Sequence, residues 1–302
     1  MVAKAIGKDC VPVQNLFSDK FEADAKMEDV ISQAIVKLKK EFIKNYEARS
    51  FIREVIPLSN SIEIPIEDRI LSKLNDFAKS NSIYFKSNDL VLFDTPCRSY
   101  EGDINDYWLS SKKYDNNYQL FYPTWILSAY ALSLGAKKWG FEEIVDIGSG
   151  DGRIAYCGKL LGMKSIGIEI DTGLVRLQYR ISNLTGVKYD IFNEDATSID
   201  YSSLNLSKPI FFISGLPESG EMLAKNVFAK IKEIARLKNC AGFNFMGSHT
   251  MKDFSRDKTK WGWGKLIEHF DLDIIDCFTL PTHWTNDEKK DTAYVYTRFK
   301  RM

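Results

Sequence analysis

The residues of this 302-residue chain best placed to do chemistry cluster in one nonapeptide, Val145-Asp146-Ile147-Gly148-Ser149-Gly150-Asp151-Gly152-Arg153. Glycines at alternate positions let a backbone turn sharply and come close to a ligand. The turn stands between an apolar strand pattern and a helical one. A helix expected to begin at Asp151 offers unpaired N–H groups to an electron-rich group. Seventeen residues past Gly152, Glu169 ends the next strand pattern. An acid at that place can accept hydrogen bonds from both hydroxyls of a ribose. The turn and the acid therefore read as two halves of one nucleoside site.

Two cofactor classes fit such a site. Gly150-x-Gly152-x-x-Ala155 satisfies the dinucleotide fingerprint in form. In that alignment Gly148 falls before the turn and Asp146 has no role. A carboxylate just before the glycines is also badly placed beside a pyrophosphate. It suits a cationic ligand, and S-adenosylmethionine carries an ammonium and a sulfonium but no phosphate. A nicotinamide or flavin is the runner-up, and a tight turn without a ligand comes last.

Elements must present these residues. From residue 122 onward, strand and helix patterns alternate. A helix over 125–139 precedes a strand over 143–147, a helix over 151–161 and a strand over 165–170. Leu174, Leu177, Ile181 and Leu184 mark a helix. Strand patterns follow at 189–192, 209–214 and 241–246, with a helix through Leu223, Val227, Ile231 and Ile234. This βαβα order predicts an α/β fold, a doubly wound, mostly parallel sheet with helices on both faces. Strands at 273–280 and 292–299, joined by a loop alone, must pair antiparallel, which places an antiparallel C-terminal strand at the sheet edge.

The motifs Asp146-x-Gly148-x-Gly150-x-Gly152, Glu169 and Asp195 resemble the successive motifs of the class I S-adenosylmethionine-dependent methyltransferases over about residues 120–300. The resemblance implies a seven-stranded Rossmann-like sheet. It implies the glycine turn against the methionine part of S-adenosyl-L-methionine, Asp146 near its amino end and Glu169 on the ribose. It places Asp195 against the adenine amino group. Ser149, Ile170 and Ala196 adjoin these positions, and Ser214 and Gly215, at the end of the fourth strand, complete the candidate set. Tyr122-Pro123-Thr124, before the first strand, together with D-I-G-S-G-D-G-R-I and Gly167-Ile168-Glu169, is similar to the non-SET protein-lysine methyltransferases and their prokaryotic relatives. In that group the Tyr/Pro/Thr loop covers the cofactor. The alternative for Thr124 is a helix N-cap before Trp125.

The acceptor side is less marked. Ser214-Gly215-Leu216-Pro217-Glu218 follows the fourth strand and should face the transferring methyl. It lacks the paired prolines and aromatic usual in enzymes that methylate exocyclic amines of bases. Tyr122 and Glu218 are the weak candidates for a catalytic role. A protein lysine is the first choice of acceptor; a small metabolite or an RNA base comes next, and a non-catalytic cofactor-binding module is the reading from another class.

Before the methyltransferase-like domain, 111–302, lies a mainly helical N-terminal module, 1–110. Met27, Val30, Ile31, Ala34, Leu38 and Phe42 are at helical spacing, with Pro57 beyond. Pro65 suits the first turn of a second helix through Ile66, Ile70, Leu71, Leu74 and Phe77. Residues 83–85 and 90–93 read as a hairpin around Lys86-Ser87-Asn88-Asp89. The polar stretch 94–119 reads as a linker or covering loop.

Lys plus Arg is 41 and Asp plus Glu is 41, so there is no global basic excess to signal nucleic-acid binding. No apolar run reaches the ~20 residues of a spanning helix. Residues 1–15 lack the pattern of an export leader. Five cysteines without a C-x-x-C spacing, and three unclustered histidines, suggest neither disulfide framework nor metal site. A cytoplasmic protein is expected.

Overall fold

In the computed structural model, residues 18–45, 52–107, 121–213, 217–246, 262–281 and 291–300 are described. The N-terminal extension comprises α1 (Ser18–Phe42), β1 (Ile52–Pro57), α2 (Asp68–Ser80), β2 (Tyr84–Leu92) and β3 (Thr95–Gly102). The second part runs α3 (Ile126–Lys138), β4 (Glu143–Ile147), α4 (Arg153–Leu160), β5 (Lys164–Glu169), α5 (Thr172–Thr185) and β6 (Asp190–Asn193). It continues with β7 (Pro209–Ile213), α6 (Pro217–Glu233), α7 (Ala235–Lys238), β8 (Gly242–Met246), α8 (Gly262–His269), β9 (Leu272–Pro281) and β10 (Asp291–Phe299).

Seven strands form one sheet in the order β6-β5-β4-β7-β8-β10-β9. The first five are parallel. β10 runs antiparallel to both neighbours, one strand in from the edge strand β9. β4 and β7 are buried along their whole length, as central parallel strands must be. Their side chains alternate between two cores. Ile144 packs with α3, α4 and α5 on one face, while Val145 and Ile147 pack with α6 and α8 on the other. The first face also carries Asp146, by the same alternation. Chain order reverses between β4 and β7, which makes the carboxyl ends of these strands the topological switch point.

The extension shares the first of these cores. Ile31, Ile35 and Leu38 of α1, Leu71, Leu74 and Phe77 of α2, and Val55 and Ile56 of β1 are contiguous with Leu127, Ile154 and Leu177. It is helical by majority but also holds a three-stranded antiparallel sheet, β1-β3-β2. The hairpin turn is Phe93-Asp94, both at positive φ (50° and 56°), not Lys86–Asp89. The polar run that resembled a turn is strand, because β2 is an edge strand with six of its nine side chains exposed. Thr95–Gly102, expected within a linker, is the central strand. α2 begins at Asp68 and not near Pro65, because Asn60 closes the preceding loop with bonds to Asp68 Oδ1 (2.5 Å) and to Ile66 O (3.0 Å).

One buried ionic cluster joins the two parts. Arg153, the first residue of α4, donates to Glu54 Oε1 of β1 at 2.7 Å and to both carboxylate oxygens of Asp151. Arg153, Glu54 and Asp151 are all but excluded from solvent (3%, 5% and 1% side-chain exposure). Arg153 also donates to the carbonyl oxygen of Thr124, and Tyr84 Oη to Glu54. Asn81, just after α2, donates to Asp151 Oδ2 at 2.9 Å. Burial opposes the charge on Arg153, but Asp151 and Glu54 outweigh it and hold the guanidinium proton well above its ordinary range. Removing one partner from such a group leaves an uncompensated interior charge. Arg153→Met is therefore expected to destabilise the chain by ~3–5 kcal/mol, read as a lowered urea midpoint. An unchanged midpoint would show that the cluster holds nothing together.

Candidate cofactor site

The glycine turn leaves the carboxyl end of β4 and is held from three sides. Gly148 N and Ser149 N both donate to Ile168 O of β5, at 2.9 and 3.0 Å. Gln178 Nε2, from the buried face of α5, donates to Ser149 Oγ and to Gly150 O, both at 2.8 Å. Glu169 Oε2 accepts from Gly150 N at 2.8 Å, while its Oε1 accepts from Asp171 N at 2.8 Å. Gly148, Gly150 and Gly152 all adopt positive φ (68°, 57° and 81°), which explains the residue type at each. Their surroundings differ. A Cβ on Gly150 would stand 2.6 Å from the Phe121 ring, and one on Gly152 would run into Tyr189 Oη. A Cβ on Gly148 would meet nothing within 4 Å among the described residues. Gly148 is thus the point at which a ligand can approach the backbone. Helix α4 starts at Arg153, with Gly152 as its N-cap, and not at Asp151. The Asp151 side chain is occupied by Arg153 and Asn81, so it belongs to the ionic cluster.

Asp146 lies beneath this turn, 2% exposed, and its Oδ2 is buried without a hydrogen-bond partner among the described residues. Burial, then the charges of Glu169 and Asp151, push its carboxyl well above the usual range, and a backbone bond from Ala155 acts the other way. An orphaned buried acceptor is rare and costly. A cationic donor at this point would satisfy the oxygen and relieve the repulsion together; a phosphate would add to it. These residues fit an ammonium-bearing adenosyl cofactor and fit a pyrophosphate poorly.

Glu169 and Ile170 stand at the carboxyl end of β5, and Asp195 and Ala196 follow that of β6. Glu169 uses one acceptor position per oxygen on the backbone, which leaves the second lone pair of each for a diol. Ile170 follows it, half-buried, its carbonyl accepting from Asn193 Nδ2 at 3.0 Å. Asp195 is half-buried in a local turn, its Oδ1 accepting from Thr197 N and Oγ1 at 2.8 Å. Ala196 is buried, its carbonyl bonded by Tyr201 Oη at 2.8 Å. Tyr122 is half-buried and Thr124 buried. Thr124 does not cap α3. Its Oγ1 bonds Tyr294 Oη at 2.7 Å, and the N-cap residue Trp125 makes no side-chain cap bond. The cap comes from Glu54, whose Oε2 accepts from Ile126 N at 2.7 Å. Ser214 and Gly215 lie outside the described residues, and Glu218 is placed only as part of α6.

Sequence reasoning missed Gln178, Phe121 and Glu54. Gln178 left a trace, a polar residue on the apolar face of an amphipathic helix. Phe121 and Glu54 left none, since their partners are distant in the chain. Trp263 is fully buried against Phe245, with ring centroids 5.0 Å apart. Among the described residues no cluster of metal-ligating side chains occurs, and no helix is long and apolar enough to cross a membrane.

Burial raises the Glu169 pKa from 4.5 to about 7, against the opposing backbone bonds from Asp171 and Gly150. Because the folded value lies above the unfolded one, the folded chain holds the extra proton between them. Stability contributed by this group is present below the unfolded value and is lost as pH rises toward 7. The loss is ~3 kcal/mol across that window. Unfolding midpoints from pH 4.5 to 7.5 should show a decline that Glu169→Gln makes shallower. An identical slope in the variant would contradict the shift.

No family model matches the chain, and no curated protein does. Solved structures similar to it include a protein of the NADB-Rossmann superfamily from Streptococcus agalactiae, at 16% identity, 53% of this chain, 63% of that one and a TM-score of 0.40. Another is the tRNA (uracil-54, C5)-methyltransferase of Pyrococcus abyssi in complex with S-adenosyl-L-homocysteine, at 12% identity, 61% of this chain, 42% of that one and a TM-score of 0.43. A third is the magnesium protoporphyrin IX methyltransferase of Synechocystis with the same product bound, at 8% identity, 58% of this chain, 83% of that one and a TM-score of 0.42. The chain thus spans less than two thirds of the first two.

Proposed function

We propose that the chain is a methyltransferase that uses S-adenosylmethionine. The observation that carries this reading is the orphaned Asp146 carboxylate oxygen beneath an open glycine turn, beside an acid placed for a ribose. When bound, the cofactor supplies a methyl group already activated by a positive sulfur. Asp146 holds its ammonium, Gly148 and Ser149 its methionine part, Glu169 its ribose and Asp195 its adenine. Ile170 and Ala196 flank the base, and Tyr122 and Thr124 cover the site. Ser214 and Gly215, after β7, complete the set.

Little else is required of side chains, because orientation supplies most of the acceleration in such a transfer. The proposed acceptor is a protein lysine amine, on the strength of the Tyr122-Pro123-Thr124 strap. Such an amine has to shed its proton first. Apolar surroundings penalise the ammonium, and the strap runs into buried Trp125, whose ring lies 6.2 Å from Phe42. Glu218 is the acid proposed to draw in the lysine or accept its proton, with Tyr122 as the second candidate for a catalytic role. The buried thiols Cys97 and Cys157, in no disulfide, support a cytoplasmic setting.

Calorimetric titration with S-adenosylmethionine and S-adenosylhomocysteine tests the cofactor. Asp146→Asn should weaken binding by ~1–3 kcal/mol, yet raise the unfolding midpoint by relieving a buried charge. Gly148→Ala should cost ~1 kcal/mol of stability through its positive φ and weaken binding further by filling the approach. Binding of NAD instead would overturn the assignment. Labelled methyl from the cofactor should enter the protein fraction of a cell extract. Label in RNA or small molecules would replace the lysine acceptor, and binding without transfer would leave a non-catalytic module.

A further inference from the structure

We infer that Glu54, a residue of the N-terminal extension, is a positioning residue for the strap 121–126 that covers the cofactor. This rests on the function proposed above. The strap holds Tyr122 and Thr124, and its first residue, Phe121, packs on Gly150. Glu54 stands 72 positions before Ile126 and binds its N–H through Oε2 at 2.7 Å. Through Oε1 it holds Arg153, which donates to the Thr124 carbonyl. Two consecutive peptide groups of the strap are thus fixed by one ion pair, one member from β1 and the other from the end of the glycine turn. The Trp125 side chain makes no cap bond, so Glu54 takes the place of the local cap. Tyr84 Oη, from β2, donates to the same carboxylate and ties it to the rest of the extension. The extension therefore sets the distance between the strap and the turn, and with it the affinity for the cofactor.

The charge balance makes the test practicable. The cluster has two acids, Glu54 and Asp151, against one guanidinium, so Glu54→Gln leaves Arg153 paired with Asp151 and the cluster charge-balanced. The amide has a single acceptor oxygen for Ile126 N and Arg153, so the strap loses an anchor while the fold is kept. Asn75 is the control. It donates to Pro57 O and Leu71 O at 3.0 and 2.9 Å and accepts from Tyr100 Oη at 2.8 Å, all within the extension.

The experiment titrates S-adenosylhomocysteine into the full chain and its variants and records their unfolding midpoints. Glu54→Gln is expected to raise Kd ~10-fold and Tyr84→Phe ~3-fold. Asn75→Ala is expected to lower the midpoint and leave Kd unchanged. Wild-type affinity in Glu54→Gln overturns the positioning role and leaves the proposed function standing. A Kd in Asn75→Ala that rises with lost stability overturns it too, since any weakening of the extension would then suffice. Should Glu54→Gln not fold, an unchanged Kd in Tyr84→Phe overturns it. A wild-type chain that does not bind the ligand removes the proposed function, and this inference with it.

Discussion

Arg153 holds one positive charge between two carboxylates in the interior, and the placement of the site depends on that arrangement. A guanidinium has five donors in a rigid fork, and here the fork reaches Glu54, Asp151 and the Thr124 carbonyl. Each partner belongs to a different segment: β1, the glycine turn and the strap before α3. Desolvating these charges is expensive, and the cost is met by the pairing of the guanidinium with the carboxylates that face it. The cluster thus makes the extension, the strap and the turn fold as one unit. Lys73 adds a second tie, its ammonium on the Thr185 carbonyl at the end of α5 at 3.0 Å.

The interior of this end of the sheet is acidic in excess. Asp146 and Glu169 add to Glu54 and Asp151, with Arg153 as the buried cation among them. The two acids nearest the open approach, Asp146 and Glu169, are the ones whose protons are held above the usual carboxylate range by burial. A cationic ligand would offset the repulsion among these carboxylates. Differential charge, more than shape, separates an ammonium-bearing adenosyl ligand from a dinucleotide on a fold that accommodates both.

Local pattern made most of the second part legible. β4 spans Glu143–Ile147, as the apolar run between polar flanks implies, and β7 and β8 lie within a residue of their expected ends. Buried parallel strands are apolar on both faces, so they stand out from the helices between them. The extension was harder to read. β2 is polar because it is an exposed edge, and its lysine, serine, asparagine and aspartate read as a turn. The real turn, Phe93-Asp94, begins with a phenylalanine at positive φ, which a bulky residue seldom adopts. Val30 and Leu184 keep helical spacing yet are exposed at 48% and 63%, because no described residue packs over that side of their helices.

By itself the sequence determined the βα alternation, the positive-φ glycines, and the presence of Asp146 and Glu169 at the ends of adjacent strands. These are short-range properties, set by periodicity, by the absence of a Cβ and by strand length. Tertiary structure alone decided that Asp146 would have an unpartnered oxygen and that Asp151 would be bound to Arg153. It also decided that Thr124 would bond Tyr294 instead of capping α3, and that the cap would come from Glu54. Each of these depends on groups distant in the chain that meet only when the extension closes against the sheet. Desolvation and pairing then fix what each carboxylate can do, and no local spacing encodes either.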